Sequence, residues 1–507
     1  MTDTFTGKIC LCLTGKTLAR DMEILEKNRK YIDIVELRAD CLAPDERLLL
    51  RRFPEMAGVP VILSIRRGID GGSFRGGESS RITLLAKGLA YANADRRRNF
   101  AYVDLEEDLN VPSLEEAARA FGTRIIRSWY NLEGVDEDLT GKLRKLRRVG
   151  DELIKAALMP RSLDDVLRVY QAARETADID KVFLCMGEYG ANTSILAGRL
   201  SSRISYTFPA EESDLPIAAP GQLDPQELAE LYRFHEITEK TKVFAITGYP
   251  LKVSASPRFF NTIFGIEQTD AVHIPIPADS IDSLMRLVQE LGILGFSVTV
   301  PYKEEVLSCL TFKSKDTLSI GASNVVVSSP QGWVGYNTDA VGFSGALLPF
   351  IDRKDLRGRK LTIIGAGGSA RAVAAEVYRL KGKALILNRT VARARALAET
   401  YRFAWAGLDS RGADLMEKYS DIIIQASSAG MAPNTEADPI EFYKFSGRET
   451  VMDLVYNPTK TICLRRAEAA GCRILSGYEM LLRQLRYQYT FFVNKEFPPS
   501  LISRVGI

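Results

Sequence analysis

The sequence predicts an α/β protein in two parts, an N-terminal (β/α)8 (TIM) barrel and a C-terminal region that contains a Rossmann-type sheet. Three observations carry this. Short apolar, β-rich runs recur from Lys8 to Phe208 and alternate with helix-like stretches, the pattern of a parallel sheet whose crossovers are helices. The polar run 236–242 (EITEKTK) then breaks that pattern. Residues 361–373 (LTIIGAGGSARAV) read as a strand, a glycine turn and a helix start.

The eight runs are 8–13, 32–37, 59–65, 100–105, 124–128, 152–157, 181–186 and 203–208, with helices expected over 81–93, 113–120 and 162–175 among the intervening stretches. Eight strands in this length suit a (β/α)8 barrel near the small end of its range, and an open doubly wound sheet is the other arrangement the pattern allows. In a barrel the chemistry sits where strands end. The polar residues there are Glu36, Arg38, Asp40, Arg66, Asp70, Asp104, Glu106, Ser128, Lys155 and Arg203. Lys155 stands apart, inside Leu153-Ile154-Lys155-Ala156-Ala157-Leu158. Apolar neighbours would desolvate it, lower its pKa and free a neutral amine for a Schiff base. A buried salt bridge to Glu36 or Glu106 is the alternative.

Gly365, Ala366, Gly367, Gly368 and Ser369 form the glycine turn. Such a turn brings backbone N–H groups and a helix N-terminus to a pyrophosphate, although it also serves simple tight packing. The next strand, 384–387, ends about 20 residues after the glycines, where an NAD site places a carboxylate on the ribose 2′-OH. Here the chain has Asn388-Arg389-Thr390, then Arg393 and Arg395. No carboxylate repels a 2′-phosphate and guanidinium groups are at hand to pair with one, so NADP(H) is the expected cofactor. A solvated helix face is the plainer reading of the arginines.

Composition sets bounds. The 507 residues are 46 % apolar and 26 % charged, with a formal net charge of +3, which suits two or three globular domains. No basic block points to nucleic acid, and no apolar run approaches the ~18 residues of a membrane span. The opening MTDTFTGKICLCLTG lacks the layout of a signal peptide. Seven cysteines are scattered, and Cys10 and Cys12, two apart on one strand face, fit reduced core residues of a cytoplasmic protein better than a CxxC or zinc set. With two histidines in the chain, no metal site is expected.

The first half resembles the type I 3-dehydroquinate dehydratases. The resemblance rests on Glu36-Leu37-Arg38-Ala39-Asp40, Ser64-Ile65-Arg66 with Gly71-Gly72, Asp104-Leu105-Glu106, Lys155 with Met159-Pro160, and Ala219-Pro220-Gly221-Gln222. It implies that Lys155 forms an imine with the substrate ketone. Arg66 and Gln222 would hold the carboxylate and hydroxyls, and Glu36 and Arg38 would line the pocket. Three departures stand out. Tyr130 takes the position of the family's catalytic histidine in Ser128-Trp129-Tyr130-Asn131, and an unperturbed tyrosine is a poor base at pH 7. Asp70 stands where the family has the glutamate that assists that histidine. Ser194 and Ala218 stand where an arginine and a serine contact substrate, with Arg199 or Arg203 as residues that could reach in.

The second half opens with residues 248–257 (GYPLKVSASP), in which Ser254 and Ser256 either present two hydroxyls to one polyol or carboxylate or cap the next helix, 257–264. Further on come Thr299 and Lys303 in GFSVTVPYK, Asn324 in ASN, and Asp339 in GYNTD. Lys303 and Asp339 read either as a surface ion pair of little value or as a proton-transfer pair beside a hydride acceptor. Together with Asn388-Arg389-Thr390, Ser427-Ser428-Ala429-Gly430-Met431, Asp453-Leu454-Val455-Tyr456-Asn457-Pro458, and Gly477-Tyr478-Glu479-Met480-Leu481 with Gln484, these strongly resemble shikimate dehydrogenase. The resemblance implies that Ser254, Ser256, Thr299, Asn324, Asp339 and Gln484 bind shikimate while Lys303 and Asp339 handle the proton. Gly365–Ser369, Asn388, Arg389, Thr390, Arg393, Tyr456 and Gly477 would bind NADP. Ser297, Val325 and Gln425 are mild departures.

The two resemblances imply two consecutive steps on small anions, 3-dehydroquinate to 3-dehydroshikimate and then to shikimate, without metal. Two alternatives stay open. One makes the barrel a binding or scaffold module because of Tyr130, and the other makes quinate the preferred substrate of the dehydrogenase. The expected domains are 1–235 (barrel), 236–242 (linker), 243–345 completed by 478–507 (substrate lobe) and 346–477 (Rossmann domain). Oligomeric state is not legible.

Overall fold

The structure, a computed structural model, describes residues 7–90, 95–251 and 254–501. Residues 1–6 of the opening segment, 91–93 of the helix expected over 81–93, Lys252 and Val253 of the serine motif, and 502–507 of the closing segment lie outside the described residues. The chain divides into two compact units, one running to Ile246 and including Pro250–Ile293, the other made of Thr247–Tyr249 and the chain from Leu294 onward.

Every barrel run becomes a strand. These are β1 (Lys8–Leu13), β2 (Ile34–Arg38), β3 (Val61–Ser64), β4 (Tyr102–Glu106), β5 (Arg124–Asn131), β6 (Leu153–Leu158), β7 (Lys181–Cys185) and β8 (Ile204–Thr207). They pair in parallel in the order β7-β6-β5-β4-β3-β2-β1-β8. The edge strands meet through a bridge between Lys181 and Ser202, where Arg203 N–H donates to the Lys181 carbonyl at 2.9 Å and Phe183 N–H to the Ser202 hydroxyl at 3.0 Å. Neighbours stay sequential with no point of reversal, so the first half is a barrel and not a doubly wound sheet.

The helices lie between the strands. They are α1 (Leu18–Asn28), α2 (Phe53–Ala57), α3 (Glu78–Leu89), α4 (Pro112–Ala120), α5 (Leu139–Leu146), α6 (Leu163–Glu175) and α7 (Ala191–Ile195), followed after β8 by a π-helical turn, Glu227–Leu231. Thr17, Asp138 and Ser162 cap α1, α5 and α6 by accepting backbone N–H groups three residues on.

Strand parity decides what faces inward. Cys10, Cys12, Ile34, Ile62, Ile126, Leu153, Ala157, Val182, Leu184, Ile204 and Tyr206 form the interior core. Leu11, Leu13, Val35, Leu37, Val61 and Leu63 belong to the other core, with Leu25, Leu50 and Leu85 of the surrounding elements. Because side chains alternate along a strand, Glu36, Asp104, Ser128, Tyr130 and Lys155 share the interior face. Cys10 and Cys12 lie there as buried, unpaired thiols.

After the barrel come β9 (Lys242–Gly248), α8 (Ala255–Ile266), β10 (Ala271–Pro277) and α9 (Ile281–Glu290). Pro250–Ile293 joins the first unit through polar contacts. Arg286 of α9 pairs with Asp164 of α6 at 2.7 Å, Arg174 pairs with Glu290 at 2.6 Å, and Leu163 N–H donates to Asp279 at 3.0 Å.

The second unit holds β11 (Gly295–Val298), β12 (Phe312–Lys313), α10 (Lys315–Ile320), β13 (Val325–Ser329), β14 (Gly332–Tyr336) and α11 (Asp339–Phe350). Its parallel sheet then follows: β15 (Lys360–Ile364), α12 (Gly368–Arg379), β16 (Lys383–Leu387), α13 (Val391–Tyr401), β17 (Ala404–Ala406), α14 (Ser410–Met416), β18 (Ile422–Gln425), β19 (Thr450–Asp453), α15 (Ile462–Ala469), β20 (Arg473–Leu475) and α16 (Gly477–Val493). The strand order is β17-β16-β15-β18-β19-β20. That is the doubly wound Rossmann order, reversing between β15 and β18.

A buried carboxyl on α1 adds to the pH dependence of barrel stability. Asp21 on α1 has no exposed surface, accepts the Gly15 N–H at 2.8 Å through Oδ1, and has no partner for Oδ2. Burial pushes its carboxyl up to about 7, above the ordinary 3.8, against the Gly15 N–H and Arg20, with Glu46 adding to the rise. The native state therefore keeps a proton that the unfolded state loses, and stability falls as pH rises from about 4 to 7, by up to roughly 4 kcal/mol in total. Urea unfolding of the barrel, followed by Trp129 fluorescence, should show this slope in the wild type and a flattened one in Asp21→Asn.

Candidate active sites

In the barrel, parallel register sets Ser128 of β5 beside both Glu106 of β4 and Lys155 of β6. Lys155 has no exposed surface. Its Nζ donates to Asp104 Oδ2 at 2.7 Å and to Glu36 Oε1 at 3.5 Å, and lies over the rings of Tyr206 (4.6 Å) and Tyr130 (5.5 Å). Burial by itself would lower the Lys155 pKa, yet the Asp104 and Glu36 carboxylates hold it well above its ordinary value. This corrects the lowered pKa expected from apolar neighbours along the strand. The neighbours that decide are on β4 and β2, across the barrel interior. Burial would likewise raise Asp104, and Lys155 holds it below the carboxylate range. The site at rest is an ammonium–carboxylate pair.

Of the two partners expected for Lys155, Glu36 is present and Glu106 is not. Glu106 is tied to Arg81, a fully buried guanidinium, at 2.9 Å. Burial pushes the Glu106 carboxyl up to about 7.

Tyr130 does stand in this cluster. Its hydroxyl donates to Asp104 Oδ2 at 3.4 Å, and the Arg66 guanidinium lies 4.9 Å from its ring centroid. Burial raises its pKa. Arg66 and Arg38 both donate to the Ala218 carbonyl, at 3.3 and 3.4 Å, and Arg66 approaches Glu36 at 3.7 Å. Arg38 grips Asp40 with two bonds, 2.9 and 2.7 Å. Gln222 donates to Cys12 Sγ at 3.5 Å, and its Oε1 is buried without a partner.

Three residues go elsewhere. Asp70 is bound to Arg67 at 2.6 Å and not to Tyr130, because it sits in a short 3-10 turn, Gly68–Asp70, beside Arg67. Arg199 donates to the carbonyls of Leu291 and Thr241, the latter at 2.7 Å, and Arg203, just ahead of β8, pairs with Asp180 at 2.8 Å. Neither reaches the Lys155 cluster. Sequence reading assigned no role to Tyr206; its parity with Ile204 in β8 is the signal that places it inside.

In the second unit, Lys303 and Asp339 form a pair of 2.5 Å, with Asp339 fully buried at the start of α11. This is not a surface ion pair. Asn324 orients the carboxylate by donating to its Oδ1 at 2.7 Å, and is itself fixed by the Thr338 N–H at 2.8 Å. Lys303 Nζ also donates to Ser369 Oγ at 3.1 Å, at the start of α12. Gly368 makes that approach possible, since a Cβ there would sit 2.7 Å from Lys303 Cβ. Gly365 has φ +115°, a conformation that favours glycine, and lies against the Ala426–Ser427 backbone at the sheet reversal.

The remaining site residues divide by unit. Ser254 caps α8 by accepting the Ser256 N–H at 3.2 Å, and both belong to the first unit. Thr299 N–H is held by the Thr247 carbonyl at 2.9 Å. Gln484 packs on Gly342 of α11, and Gly477 opens α16 where a Cβ would strike the Leu454 carbonyl.

A dinucleotide phosphate fits the glycine turn. A Cβ at Gly367, the residue before α12, would meet nothing within 4 Å, so the backbone is open there, and Ala366 beneath it is buried. At the end of β16, Asn388 donates to the Thr390 carbonyl at 3.0 Å, and Arg389 and Arg393 are exposed. Arg393 reaches Glu304 at 3.5 Å, while Arg395 pairs with Glu399 along α13 and lies over the Trp405 ring. Glu304 also holds Arg371 at 3.0 Å. No group of histidine, cysteine or carboxylate side chains among the described residues could hold a metal.

A barrel that sequesters a lysine among carboxylates and guanidiniums, followed by a doubly wound sheet whose glycine turn touches a Lys–Asp pair, defines a two-part enzyme acting on small polar anions. The comparisons give the family. Residues 9–239 match the model for type I 3-dehydroquinase, 246–326 the shikimate dehydrogenase substrate binding domain, and 351–444 shikimate / quinate 5-dehydrogenase. The chain is 28% identical over 509 residues to the chloroplastic bifunctional 3-dehydroquinate dehydratase/shikimate dehydrogenase of Arabidopsis thaliana, covering 95% of this chain and 81% of that one. It is 33% identical over 273 residues to the shikimate dehydrogenase (NADP(+)) of Caldanaerobacter subterraneus subsp. tengcongensis, covering 53% of this chain and 97% of that one. A solved structure of shikimate 5-dehydrogenase from Thermus thermophilus, in complex with NADP(H) and shikimate, aligns at 26% identity and TM-score 0.46, covering 52% of this chain and 98% of that one. The chain belongs to the shikimate dehydrogenase family, with a type I 3-dehydroquinase domain ahead of the dehydrogenase.

Gly368→Ala should push the Lys303 stem off α12 and away from Asp339. An ångström-scale misplacement of a catalytic group costs about tenfold to a hundredfold, so kcat for NADPH-dependent reduction should fall by that factor with the far-UV circular dichroism unchanged.

Proposed function

We propose that the chain catalyses two consecutive reactions, dehydration of 3-dehydroquinate to 3-dehydroshikimate in the barrel and NADPH-dependent reduction of that ketone to shikimate in the second part. It is a lyase joined to an oxidoreductase. The observation that carries the first step is the fully buried Lys155 beside Asp104 and Glu36. In this reading the Lys155 amine adds to the substrate ketone and the resulting imine acidifies the neighbouring C–H bond before water leaves. Arg66, Arg38 and Gln222 are the substrate-holding groups, with Glu36 lining the pocket. Asp70 is held by Arg67 at 2.6 Å and takes no part in this step.

For the second step, bound NADPH supplies a hydride to the ketone carbon. The protein's share is orientation and proton supply. Asp339, fixed by Asn324, holds the Lys303 ammonium, and Lys303 donates the proton that the ketone oxygen needs as it becomes a hydroxyl. Gly365–Ser369 are the residues that would take the pyrophosphate, with Asn388, Arg389, Thr390 and Arg393 at the adenosine 2′-phosphate and Tyr456 and Gly477 completing the cofactor site. Ser254, Ser256, Thr299 and Gln484 are the proposed substrate contacts. The proposed domain division is 1–235, 236–242, 243–345 with 478–507, and 346–477. A cytoplasmic setting is supported by the seven unpaired cysteines; among the described residues no helix is long and apolar enough to cross a membrane.

NADPH oxidation tests both halves of the full chain. The wild type should oxidise NADPH with 3-dehydroquinate or with 3-dehydroshikimate. Lys155→Ala should lose the first by more than about a hundredfold and keep the second, while Lys303→Ala should lose both. Oxidation with dehydroshikimate alone by the wild type would overturn the barrel's role. Removing the two guanidiniums in Arg389→Ala/Arg393→Ala should raise the KM for NADPH by roughly tenfold or more and leave that for NADH near its starting value.

A further inference from the structure

We infer that Asp104 and Tyr130 form the proton relay of the barrel site, moving protons from the Lys155 nitrogen to the departing ketone oxygen in the place of a histidine. The inference rests on the imine chemistry proposed above and names the groups that run it. One atom joins the three residues: Asp104 Oδ2 accepts from Lys155 Nζ at 2.7 Å and from the Tyr130 hydroxyl at 3.4 Å. Asp104 and Lys155 are all but sealed from solvent, so near pH 7 bulk water is a poor competitor for the proton. Neither histidine can serve. His273 is 38 residues beyond His235, outside the barrel strands and stacked on Phe260 of α8, and His235 is paired at 3.3 Å with Asp33, just ahead of β2.

Glu36 is the other carboxylate near Lys155. It stands farther off, at 3.5 Å, and is shared with Arg66 and Cys12. Glu106, two residues along β4, is held by Arg81. The groups around Asp104 are Lys155, Ser128, Tyr130, Arg66, Tyr206 and Glu106, with Glu36 across Lys155.

The protons balance in two passes. In the first, the Lys155 ammonium gives one proton to Asp104 Oδ2 and its lone pair forms the C–N bond. The carbonyl π pair moves to oxygen, which takes the Tyr130 proton, and Tyr130 recovers one from Asp104. In the second, the nitrogen gives another proton to Asp104, and Tyr130 protonates the hydroxyl. That hydroxyl leaves as water as the nitrogen lone pair closes the C=N bond. Nitrogen goes from three protons to one, water carries two, and Asp104 and Tyr130 return to their starting states. Arg66 over the Tyr130 ring stabilises the transient phenolate.

The test is trapping with sodium borohydride after rapid mixing of the full chain with 3-dehydroquinate, without NADPH, read as the mass of the Lys155 peptide. If the wild type shows no reduced adduct, the imine reading itself fails. If it does, Asp104→Asn should slow adduct formation by about a hundredfold at pH 7, and Tyr130→Phe by about tenfold or more. A loss through structure alone would be insensitive to pH. A broken relay would recover as pH rises and solvent takes over deprotonation of Lys155, and Asp104→Glu should restore part of the rate. Wild-type trapping rates in either Asp104→Asn or Tyr130→Phe would overturn the relay. Should Asp104→Asn fail to fold, judged by Trp129 fluorescence, Tyr130→Phe decides alone, because it keeps the ring and removes only the hydroxyl.

Discussion

A lysine with no contact with solvent can remain charged only if its surroundings replace the water it has lost. Taking an ammonium into a low-dielectric interior costs several kcal/mol, and a carboxylate at hydrogen-bond distance is what offsets it. In this barrel Lys155 is compensated by Asp104 and, more weakly, by Glu36. Glu36 in turn needs a cation, so Arg66 closes on it, and the neighbouring Arg38 is matched by Asp40. The polar interior is thus a chain of mutual dependence. Removing one member leaves a buried charge without its partner, and the aromatic rings of Tyr130 and Tyr206 complete the wall around the ammonium.

The second part solves a similar problem with less burial. Lys303 keeps some exposure while Asp339 has none, so the carboxylate is the member that must be satisfied from within. Asn324 does this, and a backbone N–H from Thr338 fixes Asn324 in turn. Glycine at 368 lets the Lys303 stem lie directly on the first turn of α12. The Lys303–Asp339 pair and the open helix N-terminus therefore belong to one neighbourhood, the arrangement a reductase needs if a proton and a hydride are to reach adjacent atoms.

Legibility followed the range of the interaction. The eight barrel runs became eight strands, and Ser162, adjacent to its helix, caps it. The glycine turn and the arginines that follow β16 were readable because strand, turn and helix are consecutive in sequence. Lys155 was readable as unusual, but its charge state was not. The apolar residues on either side of it point out of the barrel or along it, and the groups that raise its pKa come from residues 51 and 119 positions away. The partners of Asp70 and Arg199 were illegible for a related reason, since a nearby arginine and a pair of backbone carbonyls hold them.

By itself the sequence determined the alternation of strands and helices, the polar residues at the strand ends, the glycine turn, and the absence of a carboxylate where an NAD ribose would be held. These are properties of periodicity and of neighbours in the chain. Tertiary structure alone decided which charges meet, that a single oxygen of Asp104 serves both Lys155 and Tyr130, and that Lys303 rests against α12. Barrel closure and the reversal in strand order bring together residues far apart in sequence, and electrostatics in a dry interior depends on those distances, not on spacing along the chain.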